Sequence, residues 1–294
     1  MKTKPLIKWA GGKSQILFQI REKYPTELGK SIKKYAEPFV GGGAVLFDVL
    51  NNYNLDEIYI GDINRELILT YTDVRDNAVE LIKLLKNLEG EYLSTADKAR
   101  KELYYINRGH YNALKSSKSE SVELAALFIF LNKTCFNGLY RVNSKGGFNV
   151  PQGSYKNPKI CDEDGLQAVS KALQGVKIIC GDYKKSADFI DENTFAYFDP
   201  PYRPLTTTAS FTAYANDGFG DREQAELARF ITEMSERGAR VVASNSDPKN
   251  ADESDEFFDS LYSKHKITRI SAHRMINSVG AGRGRVNELL IANA

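Results

Sequence analysis

Apolar residues along this chain come in short bursts, separated by polar and glycine-containing stretches. Tyr35-Ala-Glu-Pro-Phe-Val40 has the length of a strand, and Gly41-Gly-Gly43 follows it before an apolar helical run through Leu50. Glu57 to Asp62 reads as a second strand, and Glu66 onward as a helix. Val176–Asp182 and Phe195–Asp199 read as two further strands, Arg222–Arg237 as a helix, and Ala239–Ser244 as another strand. Leu289–Ala292 would close the sheet as a late, antiparallel strand. Strands alternating with helical patterns predict an α/β fold: a Rossmann-like mixed sheet with helices on both faces.

Residues 76–165 interrupt that rhythm. Val79–Ile106 and Val122–Lys133 carry helical patterns, and Leu139–Val150 has a hairpin pattern with Gly146-Gly147 at its turn. The expectation is an inserted, mainly helical domain with a β-hairpin at 76–165, between catalytic segments 1–75 and 166–294.

Composition sharpens the class more by distribution than by totals. The 294 residues hold 40 Lys+Arg and 38 Asp+Glu. The charge is nonetheless segregated: residues 1–34 and 97–160 each sum to +7, residues 260–287 to +6, and the remainder to −18. Basic stretches in an acidic background can follow a phosphate backbone, or be ordinary solvated surface. Aromatic and amide residues among the middle stretch's cations favour nucleic acid, since stacking and base-edge contacts use those types. Cys135, Cys161 and Cys180 lack CxxC spacing, which points to a reducing compartment. The longest apolar run, Leu124–Leu131, is too short to span a bilayer, and no secretory pattern is visible. A cytoplasmic protein with no membrane partner is expected. His110, His265 and His273 show no ligand spacing with each other or with cysteine, so no metal is expected.

Two motifs carry chemistry. The Gly41–Gly43 loop follows a strand and opens a helix, and Asp62 lies at the end of the next strand, where a carboxylate can accept hydrogen bonds from ribose hydroxyls. Position 46 is leucine where a dinucleotide fingerprint has its third glycine, so the loop supports nucleoside binding in general. Gly11-Gly12-Lys13-Ser14 ends as a phosphate loop does, but Ile7 stands where its first glycine should be. The second motif, Asp199-Pro200-Pro201-Tyr202, ends an apolar strand where open α/β sheets place ligands. It is either a strand-terminating turn or a site for an exocyclic amine. The two prolines fix extended backbone and remove two N–H donors, leaving acceptors only. A carboxylate taking one amine N–H and a proline carbonyl the other would localise the nitrogen lone pair. A stacked tyrosine would then hold the ring in line for displacement. Such a base must first leave the duplex stack.

These strings, in this order, resemble the α-class DNA adenine-N6 methyltransferases, the group similar to Dam. The likeness rests on Lys8-Trp-Ala-Gly-Gly-Lys13, Glu37-Pro-Phe-Val-Gly-Gly-Gly43, Gly61-Asp-Ile-Asn64, Phe136-Asn-Gly-Leu-Tyr-Arg-Val-Asn143, Phe148-Asn-Val-Pro151, Tyr155-Lys-Asn-Pro158, Asp199-Pro-Pro-Tyr202, Phe211-Thr-Ala-Tyr214 and Ser244-Asn245. It implies S-adenosylmethionine as donor, held by Trp9, Lys13, Pro38, Phe39, Gly41, Gly43, Asp62, Asp182, Tyr183 and Asp199. It implies catalysis at Asp199, Pro200, Pro201 and Tyr202, acting on a flipped adenine in 5′-GATC-3′. The insertion becomes a target-recognition domain. Lys8 would contact the first guanine, Leu139, Arg141 and Pro151 the later bases, and Phe136 would wedge into the stack. Asn137, Asn143, Asn149 and Tyr155 complete the implied contacts to double-stranded DNA. Two positions depart from the pattern: Phe136 replaces a frequent tyrosine, and Ser154 stands where some relatives carry a backbone-contacting arginine. Gly280–Arg285 reads as a loop near the DNA or as plain surface. The resemblance also implies a bacterial or phage-encoded enzyme, with a restriction endonuclease as a functional rather than physical partner.

Three alternatives compete. Cytosine-N4 methylation is disfavoured because those relatives usually open the tetrapeptide with Ser or Asn. A nucleotide-dependent oxidoreductase would share the glycine loop and the acid but not Asp-Pro-Pro-Tyr. A DNA-binding module without activity would have no use for intact catalytic and donor positions.

Overall fold

The computed structural model describes residues 2–203, 219–273 and 285–293, without the side chains of 272, 273 and 285. Seven strands make one mixed sheet: β1 (Lys34–Glu37), β2 (Glu57–Asp62), β3 (Lys177–Cys180), β4 (Thr194–Phe198), β5 (Arg240–Ser246), β6 (Lys266–His273) and β7 (Arg285–Ala292). Their order is β3-β2-β1-β4-β5-β7-β6. β1 pairs in parallel with β2 and β4, and β4 in parallel with β5, whereas β7 is antiparallel to both β5 and β6. β4 is buried at all five positions, as an interior parallel strand should be. The strand order reverses between β1 and β4. In open α/β sheets such a reversal point, at the carboxyl ends of the two strands, is where ligands bind.

Among the described residues the helices are α1 (Leu17–Arg21), α2 (Ala44–Asn52), α3 (Arg65–Asp76), α4 (Ala78–Ser94), α5 (Asp97–Ser116), α6 (Val122–Thr134), α7 (Glu163–Ala172), α8 (Asp221–Glu236) and α9 (Phe257–Leu261). None of them is long and apolar enough to cross a membrane. The chain divides into two compact units. The first comprises Met1–Gly12, Gly41–Asn52 and Gly61–Gly181, and the second Lys13–Val40, Tyr53–Ile60 and Asp182–Ala294.

The first unit is built around α6. Apolar residues surround this helix on every side, and Leu124 through Asn132 are all buried, so it packs simultaneously against α3, α4 and α5. α3 starts where Asn64 accepts a hydrogen bond from Leu67 N at 2.9 Å, an N-cap that satisfies an otherwise orphan donor. The second unit carries β1, β2 as far as Ile60, and β4 to β7. Its aromatic interior includes Tyr35, Phe195, Tyr197 and Phe198, all fully buried.

The α/β class, the strand positions and the antiparallel setting of β7 match expectation, although β6 rather than β7 closes the sheet. Three details differ. The continuous helical pattern over 79–106 is two helices, α4 and α5. Thr95 takes an extended conformation between them, and Arg100 donates to the carbonyls of Thr95 and Leu93, satisfying two acceptors that the break leaves without a helical partner. β6 was not foreseen. It is the sheet's last strand, and its Lys266, Thr268, Arg269 and Ser271 give the polar dress of an edge. The hairpin at 139–150 is reduced to an isolated Val142–Phe148 bridge. Asn143 builds its turn, accepting from Lys145 N and Gly147 N at 3.0 Å each, while Gly146 adopts φ +77°.

Candidate active site and recognition segment

In the second unit, β4 delivers Asp199 and the two prolines to the end of the sheet. Lys13 Nζ lies 2.8 Å from Asp199 Oδ1 and 4.5 Å from the centroid of the Tyr202 ring, with its side chain only 5% exposed. Ser244 Oγ, in β5, donates to the same Oδ1 at 2.8 Å. Burial pushes the Asp199 carboxyl up, and the Lys13 ammonium and the Ser244 hydroxyl pull it back. Tyr202 Oη donates to Glu288 Oε2 at 2.7 Å, and burial together with the Asp199 and Glu288 charges keeps this phenol protonated.

The polypeptide after Asp199 is clamped. Gln224 Nε2 donates to the Pro201 carbonyl at 2.9 Å, and Asn245 Nδ2 in turn holds Gln224 Oε1 at 3.0 Å. Arg203 receives carboxylates from Asp221 and Asp255 and stacks 4.2 Å from the Phe257 ring centroid. Two acceptors stand apart from this network: among the described residues, nothing donates to Asp199 Oδ2 or to the Pro200 carbonyl. Phe39, following β1, stacks on Tyr183 with centroids 5.4 Å apart. Pro38 beside it is buried, and Asp182 caps the turn that carries Tyr183 by accepting from Lys184 N at 2.9 Å.

In the first unit, Gly41 N donates to Asp62 Oδ2 at 3.1 Å and Asn64 N to Oδ1 at 2.9 Å. Burial pushes the Asp62 carboxyl up against these backbone hydrogen bonds. Each oxygen keeps a lone pair for a further donor. Gly43 sits at φ +74°, and a Cβ there would come within 2.6 Å of Tyr71 Oη, so only glycine fits. Trp9 approaches Gly41 closely and stacks on Tyr140, with centroids 5.5 Å apart. Beside Asp62, Ile63 is 77% exposed, an apolar side chain standing in solvent.

The segment that sequence reading assigns to DNA recognition lies in the same unit. Asn132 clasps the backbone of Lys8 in both directions and also donates to the Gly138 carbonyl. Lys8 Nζ reaches Tyr155 Oη at 3.4 Å, so the N-terminal lysine joins the segment that sequence reading grouped it with. Phe136 is 51% exposed, its N–H held by the Pro151 carbonyl at 2.9 Å, and Asn137 takes φ +55°. Leu139 is half-buried and its carbonyl accepts from Cys135 Sγ. Arg141 is exposed and rests on Asn149, donating from Nε to Oδ1 at 2.8 Å. Asn143 is occupied in its own turn rather than gathered with the others.

Apart from Tyr140, which sequence reading places among the aromatic residues of the middle basic stretch, the following residues were not singled out from sequence. Lys115, Glu66 and Tyr140 form a compact triad, with Lys115 Nζ 2.7 Å from Glu66 Oε2 and 2.6 Å from Tyr140 Oη. Tyr197, Gln224, Arg203 and Glu288 support the Asp199 strand end. No local spacing marks any of these, because each acts across the fold. Phe211–Tyr214 and positions 280–284 of the late basic loop lie outside the described residues. Within the third basic stretch, Lys264 pairs with Glu236, and Arg269 with Asp247 and Asp259.

A family model described as D12 class N6 adenine-specific DNA methyltransferase matches residues 9–276. The type II methyltransferase M.MjaIII of Methanocaldococcus jannaschii is 50% identical over 295 residues, covering 100% of each chain. The type II methyltransferase M1.LlaDCHI of Lactococcus lactis subsp. cremoris is 36% identical over 292 residues, 99% of this chain and 95% of that one. The DNA adenine methylase of Escherichia coli K12 is 33% identical over 289 residues, 98% of this chain and 95% of that one. Among solved structures, precorrin 8w decarboxylase of Methanobacterium thermoautotrophicum aligns with TM-score 0.39 at 12% identity over 99% of this chain and 95% of that one, too loose a likeness to carry an argument. Identity along the full length leaves no place for the oxidoreductase, cytosine-N4 or inactive-module readings: this chain belongs to the D12 class of N6 adenine-specific DNA methyltransferases.

Proposed function

We propose that the chain transfers a methyl group from S-adenosylmethionine to N6 of a flipped adenine in duplex 5′-GATC-3′. The observation that carries this is the pair of acceptors without a described donor at the end of β4, Asp199 Oδ2 and the Pro200 carbonyl. An exocyclic amine has two N–H bonds to give, and two acceptors fixed on rigid backbone match that demand. With both protons directed, the nitrogen lone pair is free to form the new N–C bond as the S–C bond breaks. The surplus proton leaves the amine afterwards, to Asp199 or to solvent. Tyr202, its hydroxyl tied to Glu288, offers its ring as the stacking face for the base. Such stacking and orientation account for much of the rate in a displacement with an activated donor.

The donor supplies an electrophilic methyl on a sulfonium. The residues of each unit fit it: in the first, Asp62 has lone pairs for ribose hydroxyls, and in the second, Phe39 and Tyr183 offer aromatic surface for an adenine. Trp9, Lys13, Pro38, Gly41, Gly43, Asp182 and Asp199 complete the proposed donor set. Residues 76–165 are assigned to target recognition, and 1–75 with 166–294 to catalysis. The GATC assignment rests on the resemblance to the Dam-like group, by which Lys8, Leu139, Arg141 and Pro151 would contact the bases and Phe136 would wedge into the stack. Arg141 suits bidentate contact with guanine O6 and N7. Relatives that carry type II methyltransferase names support a restriction endonuclease as functional partner.

The test is methylation of short duplexes by the purified full chain with labelled donor. A GATC duplex is expected to take label, and Asp199→Ala to abolish it. Equal labelling of a GTAC duplex would overturn the sequence assignment, and no labelling of any adenine-containing duplex would overturn the reaction.

A further inference from the structure

Behind Asp199 stand two hydroxyls that the reaction as written does not use. Ser244 on β5 and Tyr197 on β4 are both fully buried, and their oxygens are 3.0 Å apart. Ser244 Oγ is also 2.8 Å from Asp199 Oδ1. A serine hydroxyl has one proton, and a carboxylate ion-paired with Lys13 can only accept. The Ser244 proton therefore points at Asp199, and Tyr197 must donate to Ser244. The chain is directed: Tyr197 to Ser244 to Asp199.

That direction has a consequence for the carboxylate plane. Oδ1 takes two donors, from Ser244 and from Lys13, and Oδ2 takes none among the described residues. An ammonium is a compact charge with three rotatable donors, which attracts a carboxylate without fixing its rotation. A buried hydroxyl on a core strand, itself anchored by a second one, does fix it. Apolar side chains at 197 and 244 would fill the same space without two buried polar groups to satisfy. We propose that Ser244 and Tyr197 are positioning residues for methyl transfer, locking the Asp199 carboxylate so that Oδ2 alone faces the amine. This rests on the reading that Asp199 holds the target amine.

The test is single-turnover methylation of a GATC duplex at saturating donor, with thermal unfolding followed for each variant. Ser244→Ala should slow transfer about tenfold to hundredfold, the scale of a misplaced reacting group, with the half-saturating duplex and donor concentrations unchanged. Because the Ser244 bond holds the Asp199 carboxyl down, losing it should also move the acidic limb of the rate profile to higher pH. Ser244→Thr, which keeps the hydroxyl, should restore most of the rate. Tyr197→Phe, nearly isosteric, should slow transfer by a smaller factor and tests the relay even if a position 244 variant fails to fold. A Ser244→Ala enzyme with wild-type rate and an unmoved acidic limb overturns the proposal, as does a change confined to half-saturation. If Asp199→Ala itself remains active, the underlying reading fails instead, whatever Ser244 does.

Discussion

The end of β4 and the segment from Phe136 to Tyr155 both serve the same reaction on the proposed reading, yet they are built differently. Around Asp199, polar atoms are committed: Lys13, Ser244, Gln224, Asn245, Arg203 and Glu288 each hold a named partner, most of them buried. In the recognition segment the backbone is fixed, but the side chains stand outward: Phe136, Asn137, Arg141 and Pro151 are exposed. Chemistry on a poor nucleophile needs acceptors held in place before the substrate arrives, since reorganisation at that moment costs rate. Reading bases needs side chains that can leave a resting partner for a base edge. Arg141, on Asn149, has such a partner. Substitutions in the first region should therefore change turnover, and in the second, discrimination.

The largest effect tests the first half of that contrast. Asp199→Ala should lower the single-turnover rate by about a thousandfold or more, while duplex binding, measured by fluorescence anisotropy, stays within a few-fold. A matching loss of binding would mean that Asp199 organises the DNA surface as well, and the two regions could not be separated.

Next in size is a change of stability. The Lys115 and Glu66 side chains are only 19% and 9% exposed. Lys115→Met removes the nearer of two cations from a buried carboxylate, leaving the Arg65 guanidinium 3.9 Å away, and should cost up to about 3 kcal/mol in denaturant unfolding. Lys115→Met with Glu66→Gln should recover most of it. The double variant is then the informative one: it keeps the fold but loosens Tyr140, which lies between Leu139 and Arg141. Relaxed discrimination with unchanged donor affinity would show that the outward side chains depend on a buried anchor.

Which parts were legible in the sequence follows from the range of each interaction. The glycine loop, Asp62 and Asp-Pro-Pro-Tyr announce themselves because their chemistry lies within a few residues or one strand–helix–strand unit. The Lys13–Asp199 pair joins residues far apart in the chain, and their spacing carries no signal. Ser244 reaches Asp199 only because β5 lies beside β4 in the register that sets Ala243 against Phe198. Pairing of that kind is decided by the whole sheet. The break at Thr95 was missed because neither Gly nor Pro marks it; Arg100, five residues on, makes it stable. Charge segregation pointed to DNA, but it could not show that Lys115, Lys264 and Arg269 are held by acids.

A smaller effect probes Arg141 itself. If it reads guanine, Arg141→Ala should cost about 1–3 kcal/mol in kcat/KM on the intact site. It should cost much less on a duplex already substituted at the base it reads. A uniform loss across all duplexes would make Arg141 a phosphate contact. The segment would then grip DNA without reading it at that position.

The finest distinction concerns Lys8, which belongs to neither region by sequence position but joins the recognition segment in space. Its backbone is clasped by Asn132, and its stem packs where a side chain at Gly138 would collide with it, at 2.7 Å. Those restraints leave the ammonium beside Tyr155 as the mobile end. A lysine on a phosphate and a lysine on a guanine differ in their response to salt. Each phosphate neutralised adds about 0.9 to the slope of log affinity against log salt, whereas a base contact changes affinity with little change in slope. If Lys8 touches the first guanine, Lys8→Met should lower discrimination at that base with the salt slope intact. A slope shallower by about one, with discrimination unchanged, would move Lys8 from reading to gripping. The restrained stem favours the first outcome, because a lysine fixed at its root has fewer phosphates within reach than one on a free arm.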